Sequence, residues 1–197
     1  MRTALVTLLC LAAVPALAQP REWHLDDESV VRFMCRGENV ETPAKGRFGA
    51  VNGRVVMNPD DLGTVQGRVD VLLSSIRTAD SAWDTMFRAA SFLALDLHPR
   101  ATFELFAVEG AEAVPESGWA PVELRGRLTL KGVTKEQRVR GRVRRVPAEG
   151  DQPERIELLA IFPIAWTDHD INVPANSRRD FAGSGAYVRM HLVFRPA

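Results

Sequence analysis

The sequence is poor in cysteine, and neither its short N-terminal apolar run nor any later one is long enough to cross a membrane as a helix. Its two cysteines are Cys10 and Cys35, and only Cys35 lies outside the N-terminal apolar segment. If that segment is cleaved, the mature monomer can form no internal disulfide. Cys35 shares strand parity with Val31 and Phe33, so we expect a buried, inert thiol. A reactive thiol is the alternative.

The sequence also lacks the short motifs that mark common enzyme classes. It contains no Gly-x-Ser-x-Gly elbow, no Gly-x-Gly-x-x-Gly and no phosphate loop. Asp168-His169-Asp170 could ligate a metal, but adjacent side chains of a strand point to opposite faces, and no second histidine lies at ligand spacing. We therefore predict a polar loop there, no metal, no cofactor and no enzyme activity. A catalytic triad built from distant residues stays open.

Residues 1–18 have the pattern of a cleaved signal peptide. Arg2 is a minimal basic region, Ala4–Val14 is a short apolar run, and Ala16-Leu17-Ala18 is a small-x-small cleavage site. We expect a mature chain from Gln19, in the periplasm or secreted. Cys10 suggests a lipoprotein instead, but bulky Leu9 precedes it where a small residue is needed.

Charge is balanced overall and unevenly distributed. The chain has 25 basic and 25 acidic residues, which gives no sign of a nucleic-acid partner. Residues 121–146, however, hold nine basic and two acidic residues. This basic hairpin is either a solvated wall paired with acidic loops or a surface that docks on an anionic membrane or an acidic partner. Strand parity places on its outer face Arg125, Arg127, Arg138, Arg140, Arg142 and Arg144.

Alternation with a period of two recurs along residues 19–197, which we treat as one domain. It runs through residues 64–73, and a helical pattern interrupts it at about Asp80–Ala90 before His98-Pro99. Gly132-Val133-Thr134 is predicted to turn the basic hairpin, and residues 166–185 are irregular. About eight strands with short connections favour an all-β fold with one inserted short helix: an eight-stranded antiparallel β-barrel whose end the helix closes. A sandwich is the alternative.

Parity also gives the inward-facing residues of such a barrel. They mix large and small side chains, which can pack into a solid core or surround a tunnel. From parity alone, the solid core is slightly favoured. The predicted apolar lumen residues are Phe33, Val69, Val71, Phe103, Leu105, Leu128, Leu130, Phe162, Met190 and Leu192.

Five segments, in order, resemble the YceI family of exported, lipocalin-like proteins. They are Trp23–Phe33, Lys45–Phe48, Ser75-Ile76-Arg77-Thr78, the stretch from Phe92-Leu93 through His98-Pro99 to Phe103, and Gly126–Thr134. Three positions depart from the family pattern: Trp83 before Asp84, Lys131 in the hairpin, and the segment Trp166–Ile171.

The resemblance implies an eight-stranded antiparallel barrel whose apolar lumen holds a polyisoprenoid or related lipid, and it favours the tunnel over the solid core. The function expected is an exported carrier or reservoir of a long isoprenoid, quinone-like or acyl lipid. Two alternatives stay open: an envelope interaction protein with a solid barrel and a basic outer face, and a barrel enzyme acting on a lipid. A dimer is compatible with the sequence, which leaves the oligomeric state open.

Overall fold

A computed structural model describes residues 19–36, 43–173, 175–177 and 182–197. The predicted signal peptide lies outside these residues. In the described part, strands are the main element, and one helix of more than two turns, α1 (Ser81–Arg88), is inserted among them. The strands are β1 (Arg21–Leu25), β2 (Val30–Arg36), β3 (Lys45–Phe48), β4 (Val51–Asn58), β5 (Asp61–Leu72), β6 (Ile76–Thr78), β7 (Arg100–Glu109), β8 (Ala120–Leu130), β9 (Val133–Val146), β10 (Arg155–Ala165) and β11 (Gly185–Pro196).

The strands form a closed, antiparallel, eight-stranded barrel. Three of its strands are each broken into two segments, so that β1 continues as β2, β3 as β4, and β5 as β6. Strand β11 closes the ring, because its first half pairs with β2 and its last residues pair with β1. The predicted fold class is confirmed, and the sandwich is excluded by this closure.

The core lies inside the barrel and follows the predicted parity. Along β8, Val122, Leu124, Leu128 and Leu130 are buried and face inward, whereas Arg127 is exposed. The inserted helix also forms as predicted: Asp80 caps it by accepting a hydrogen bond from the Ala82 amide at 2.8 Å.

Two boundaries differ from the sequence prediction. The turn of the basic hairpin is Lys131-Gly132, and Val133 already belongs to β9. Both turn residues have positive φ, 50° and 76°, as a two-residue type I′ hairpin turn requires. The stretch predicted to be irregular contains a 3₁₀ turn at Trp166–His169 and a short helix, α2 (Ala175–Ser177), and it ends where β11 begins at Gly185.

No helix among the described residues is long and apolar enough to cross a membrane.

Candidate functional site

The barrel encloses two apolar cavities that meet end to end. The helix-end cavity has a volume of about 90 Å³ and the loop-end cavity about 80 Å³. Val69, Phe103 and Met190 line both cavities and form the partition between them. Since one water-sized group needs about 10–15 Å³, each cavity has room for several such groups. The interior of the barrel therefore holds open apolar space.

All ten residues predicted to face the lumen line these cavities. Several of them are only half-buried although they point inward, because they border open space. The helix-end cavity is lined by Phe33, Val69, Val71, Phe103, Leu128, Leu130, Phe162 and Met190, and the loop-end cavity by Val69, Phe103, Leu105, Met190 and Leu192. Their role as ligand contacts stays a prediction.

A chain of aromatic rings closes the helix end. Phe33 on β2 meets Phe87 of α1 edge-on at 5.4 Å, and Phe87 meets Phe92 at 4.9 Å. Phe92 in turn meets Trp166 at 5.2 Å. Edge-to-face pairs of this kind stabilise beyond the area they bury. These four aromatic rings also line the cavity, so they form its cap.

Phe87, Phe92 and Trp166 were not among the lumen residues predicted from the sequence. They come from the helix and from irregular segments, so strand parity could not reach them. A signal was present in the helical spacing of Met86 and Phe87 and in the Phe92-Leu93 motif.

The Ser-Ile-Arg-Thr motif fixes the position of this cap. Ser75 Oγ accepts hydrogen bonds from the amides of Gly49 and Ala50, both at 3.1 Å. Three residues later, the amide and hydroxyl of Thr78 both donate to Asp84 Oδ1 of α1 at 2.7 Å. The motif thus ends β5 and ties the helix to the rim of the barrel.

The opposite end is closed by the loop between β7 and β8. The Val114 amide donates to the Pro59 carbonyl at 2.7 Å, and the Leu62 amide donates to the Glu112 carbonyl at 2.8 Å. Val114 is 3% exposed and lines the loop-end cavity together with Leu62.

The cavity linings carry almost no polar chemistry. Among the described residues, Arg68 is the one charged residue that borders either of the two cavities. Its guanidinium pairs with Asp70 at 2.8 Å. The Cys35 thiol is 1% exposed, and burial raises its pKa to about 12, in agreement with the predicted inert thiol. Such a space can hold apolar matter, and the described residues that line it include no general base or nucleophile.

The Asp168-His169-Asp170 cluster forms a contact with the hairpin. His169 is 2% exposed with Nδ1 3.1 Å from the Val133 carbonyl oxygen, while both aspartates are exposed. Desolvation lowers the pKa of His169, and the hydrogen bond to Val133, which raises it, offsets only part of this shift. Lys131 Nζ donates to the Asp170 carbonyl at 2.8 Å. Two of the departures from the family pattern, Lys131 and the segment Trp166–Ile171, are therefore in contact.

No group of three or more His, Cys, Asp or Glu side chains within the described ranges is placed to hold a metal ion.

The arginines of the basic hairpin mostly have acidic partners on neighbouring strands. Five of the six arginines predicted on its outer face form such pairs. The pairs are Arg125 with Glu109, Arg127 with Glu104, both Arg138 and Arg140 with Glu123, and Arg144 with Glu157, at 2.7–3.5 Å. Arg142 is exposed. These contacts favour the solvated wall over the docking surface, and the acidic partners lie on strands where loops were expected.

Fold and site together define a class: a closed, lipocalin-like β-barrel with a capped apolar lumen. The YceI-like domain family matches residues 23–194 of the sequence. The chain belongs to the YceI family.

Solved structures share this fold. A polyisoprenoid-binding domain from Saccharophagus degradans, implicated in plant cell wall breakdown, is similar with a TM-score of 0.69 at 16% identity, covering 89% of this chain and 98% of that one. BcnA from Burkholderia cenocepacia gives a TM-score of 0.67 at 19% identity, covering 86% and 98%. The YCEI protein of Campylobacter jejuni gives 0.65 at 15% identity, covering 77% and 84%. At these identities the likeness establishes the fold alone. No curated protein matches the sequence.

Proposed function

We propose that the protein binds one long apolar lipid inside its barrel and serves as a carrier or reservoir for it. The observation that carries this proposal is the pair of abutting apolar cavities along the barrel interior, capped at both ends. The solved S. degradans relative is a polyisoprenoid-binding domain, which supports a polyisoprenoid, quinone-like or acyl chain as the ligand.

The energetics fit a ligand without charge in its buried part. Each methylene that enters the lumen contributes on the order of 0.8 kcal/mol, so a chain of several units binds without a buried ion pair. Because Val69, Phe103 and Met190 stand between the two cavities, a slender, flexible chain fits the interior better than a rigid fused-ring molecule.

We place this function in the bacterial envelope. The support is the signal-peptide pattern of residues 1–18, which lie outside the described part of the chain. Intact mass of the exported protein tests the location: a mature chain beginning at Gln19 supports it, and a diacylglycerol-modified Cys10 contradicts it.

The lumen itself is tested with a matched pair of variants on β8. Leu128 is 6% exposed and lines the helix-end cavity, while the neighbouring Arg127 is exposed and pairs with Glu104. Leu128→Trp should fill the cavity and lower the amount of co-purified lipid measured by native mass spectrometry and lipid extraction. Arg127→Trp should leave lipid occupancy unchanged, because its ring points into water.

Thermal melts of both lipid-free variants complete the test. With open space to enter, the Leu128→Trp ring should cost the barrel little stability. A loss of roughly 1–3 kcal/mol, together with no lipid in the parent protein, would mean an overpacked solid core and would contradict the carrier. Turnover of the bound lipid by the parent protein would instead favour the enzyme alternative.

A further inference from the structure

Four arginines stand side by side on the outer face of the barrel, far from one another in sequence. The pairing register places Arg77 of β6 opposite Arg47 of β3, Arg47 opposite Arg32 of β2, and Arg32 opposite Arg189 of β11. Residues directly opposite on antiparallel strands have Cβ atoms only about 4.5–5.5 Å apart. All four side chains are exposed. They form one continuous row across four strands.

This row has no acidic partners among the described residues. The ion pairs found there involve other arginines or histidines, and in the row only Arg77 makes a side-chain hydrogen bond, to the backbone carbonyl of Ile76 at 2.7 Å. Like charges directly opposite each other destabilise a sheet. The row thus lowers the stability of the barrel, in contrast to the basic hairpin, where the same residue type is neutralised.

Exposed apolar side chains lie next to the row. In the adjacent row, Met34 stands opposite both Lys45 and Tyr187, and Met34 and Tyr187 are each 40% exposed. Ile161, opposite Arg189, is 55% exposed. Arg36 lies over the Tyr187 ring at 5.6 Å. We call this surface the arginine wall; it consists of Arg32, Arg36, Lys45, Arg47, Arg77 and Arg189 with Met34, Ile161 and Tyr187.

We propose that the arginine wall docks the protein on the surface of an anionic lipid bilayer. Charge complementarity carries the proposal: six basic side chains and no described acidic one face outward together. A bilayer also presents what the apolar side chains need, since an apolar layer lies just beneath its anionic head groups. Tyrosine and arginine are side chains suited to that boundary, with an apolar body and a polar tip.

The inner face of the same strands adds to the argument. Val31, Phe48, Ile76 and Val188 point inward from the strands of the wall and line the helix-end cavity. Docking would therefore bring the strands that line the helix-end cavity against the membrane. Docking does not depend on what fills the lumen, so its failure would leave the proposed lipid-binding function standing.

Binding to vesicles tests the proposal. The full mature chain is co-sedimented with vesicles of phosphatidylglycerol and phosphatidylcholine in equal parts, and with vesicles of phosphatidylcholine alone. We expect binding to the anionic vesicles only, falling as salt rises because exposed charges are screened. The double variant Arg32→Gln/Arg189→Gln should bind about thirtyfold more weakly. It should also melt at the same or a higher temperature, because it removes like-charge pairs.

A matched variant separates the wall from the basic hairpin. Arg125→Gln/Arg138→Gln removes the same charge from the hairpin and should leave vesicle binding almost unchanged. Tyr187→Ser should weaken binding without changing its salt dependence. The proposal is overturned if the parent protein does not bind anionic vesicles. That result is expected if the arginine wall instead binds an acidic protein. It is equally overturned if the hairpin variant loses binding as much as the wall variant does.

Discussion

The ring of Phe103 on β7 lies against the backbone of Gly126 on β8, where a Cβ atom would come within 2.4 Å of the ring's Cζ atom. The glycine thus leaves room for this ring, which lines both cavities. Gly126→Ala should displace the ring and destabilise the barrel by about 1–3 kcal/mol. Urea denaturation of the lipid-free protein measures this loss.

A double-mutant cycle shows how much of that loss comes from the ring. The new Cβ would also lie 2.6 Å from the Glu104 carbonyl oxygen, a backbone contact that remains in any Phe103 variant. The Gly126→Ala cost should therefore shrink, without vanishing, in a Phe103→Ala background. Equal costs in both backgrounds would mean that the ring does not press on Gly126.

The Ser75 hydroxyl is expected to matter although it lies at the rim. It accepts from two amides, of Gly49 and Ala50, and donates to the Leu72 carbonyl at 2.5 Å. Ser75→Ala should cost about 1 kcal/mol, since water can reach part of this site and replace some of the bonds. Thermal or urea unfolding measures it. The exposed neighbour Ser74 is the control, and Ser74→Ala should stay within about 0.5 kcal/mol of the parent.

Acid should weaken the barrel through Glu157. Desolvation raises the pKa of this carboxyl, but hydrogen bonds from Arg155 at 2.9 Å and Arg144 at 2.7 Å outweigh it, so the net pKa is lowered. A lowered folded-state pKa contributes stability that is complete above the ordinary glutamate pKa of about 4.3 and is lost as the pH falls through the folded value. Urea unfolding of the parent at a series of pH values should show this loss.

Glu157→Gln isolates this contribution from the other carboxyls. Asp26, Asp70 and Glu154 also have lowered pKa values, so the variant should keep part of the acid dependence and lose only the share of Glu157. An unchanged pH profile in the variant would show that the arginines do not stabilise the ionised carboxylate.

Cys35 should be unreactive until the barrel opens. The thiol is 1% exposed with a pKa raised to about 12, so at pH 8 almost none of it is the nucleophilic thiolate. Alkylation by iodoacetamide should be negligible in the native protein and complete in denaturant. Fast native labelling would mean that β2 detaches from its neighbours on the timescale of the assay.

Strand parity predicted the barrel and its lining because it depends only on alternation along each strand. Val69 and Leu128, for example, are placed correctly without any knowledge of their neighbours. The turn was misplaced because Lys131, a non-glycine residue, takes the left-handed conformation that usually marks glycine.

Strand parity could not predict features that depend on several segments at once. Phe87 and Trp166 reach the lumen only through the way α1 and the 3₁₀ turn fold over the barrel. The arginine row depends on the relative register of four strands, so nothing in the sequence shows that Arg32 and Arg189 are neighbours. The charges of the basic hairpin are close in sequence, so a docking surface was one interpretation of them, but the structure pairs most of them with acidic residues.

The three broken strands give the barrel walls of unequal stiffness. The breaks at residues 26–29, 49–50 and 73–75 lie on adjacent strands, whereas β7 to β11 run unbroken for 10 to 14 residues each. At the breaks the ladder is interrupted, and contacts such as those of Ser75 replace part of it. When a ligand of a different width enters, the strain should therefore concentrate at these three breaks, while strands β7 to β11 keep their shape. One barrel could then accommodate chains of different thickness by bending at the breaks.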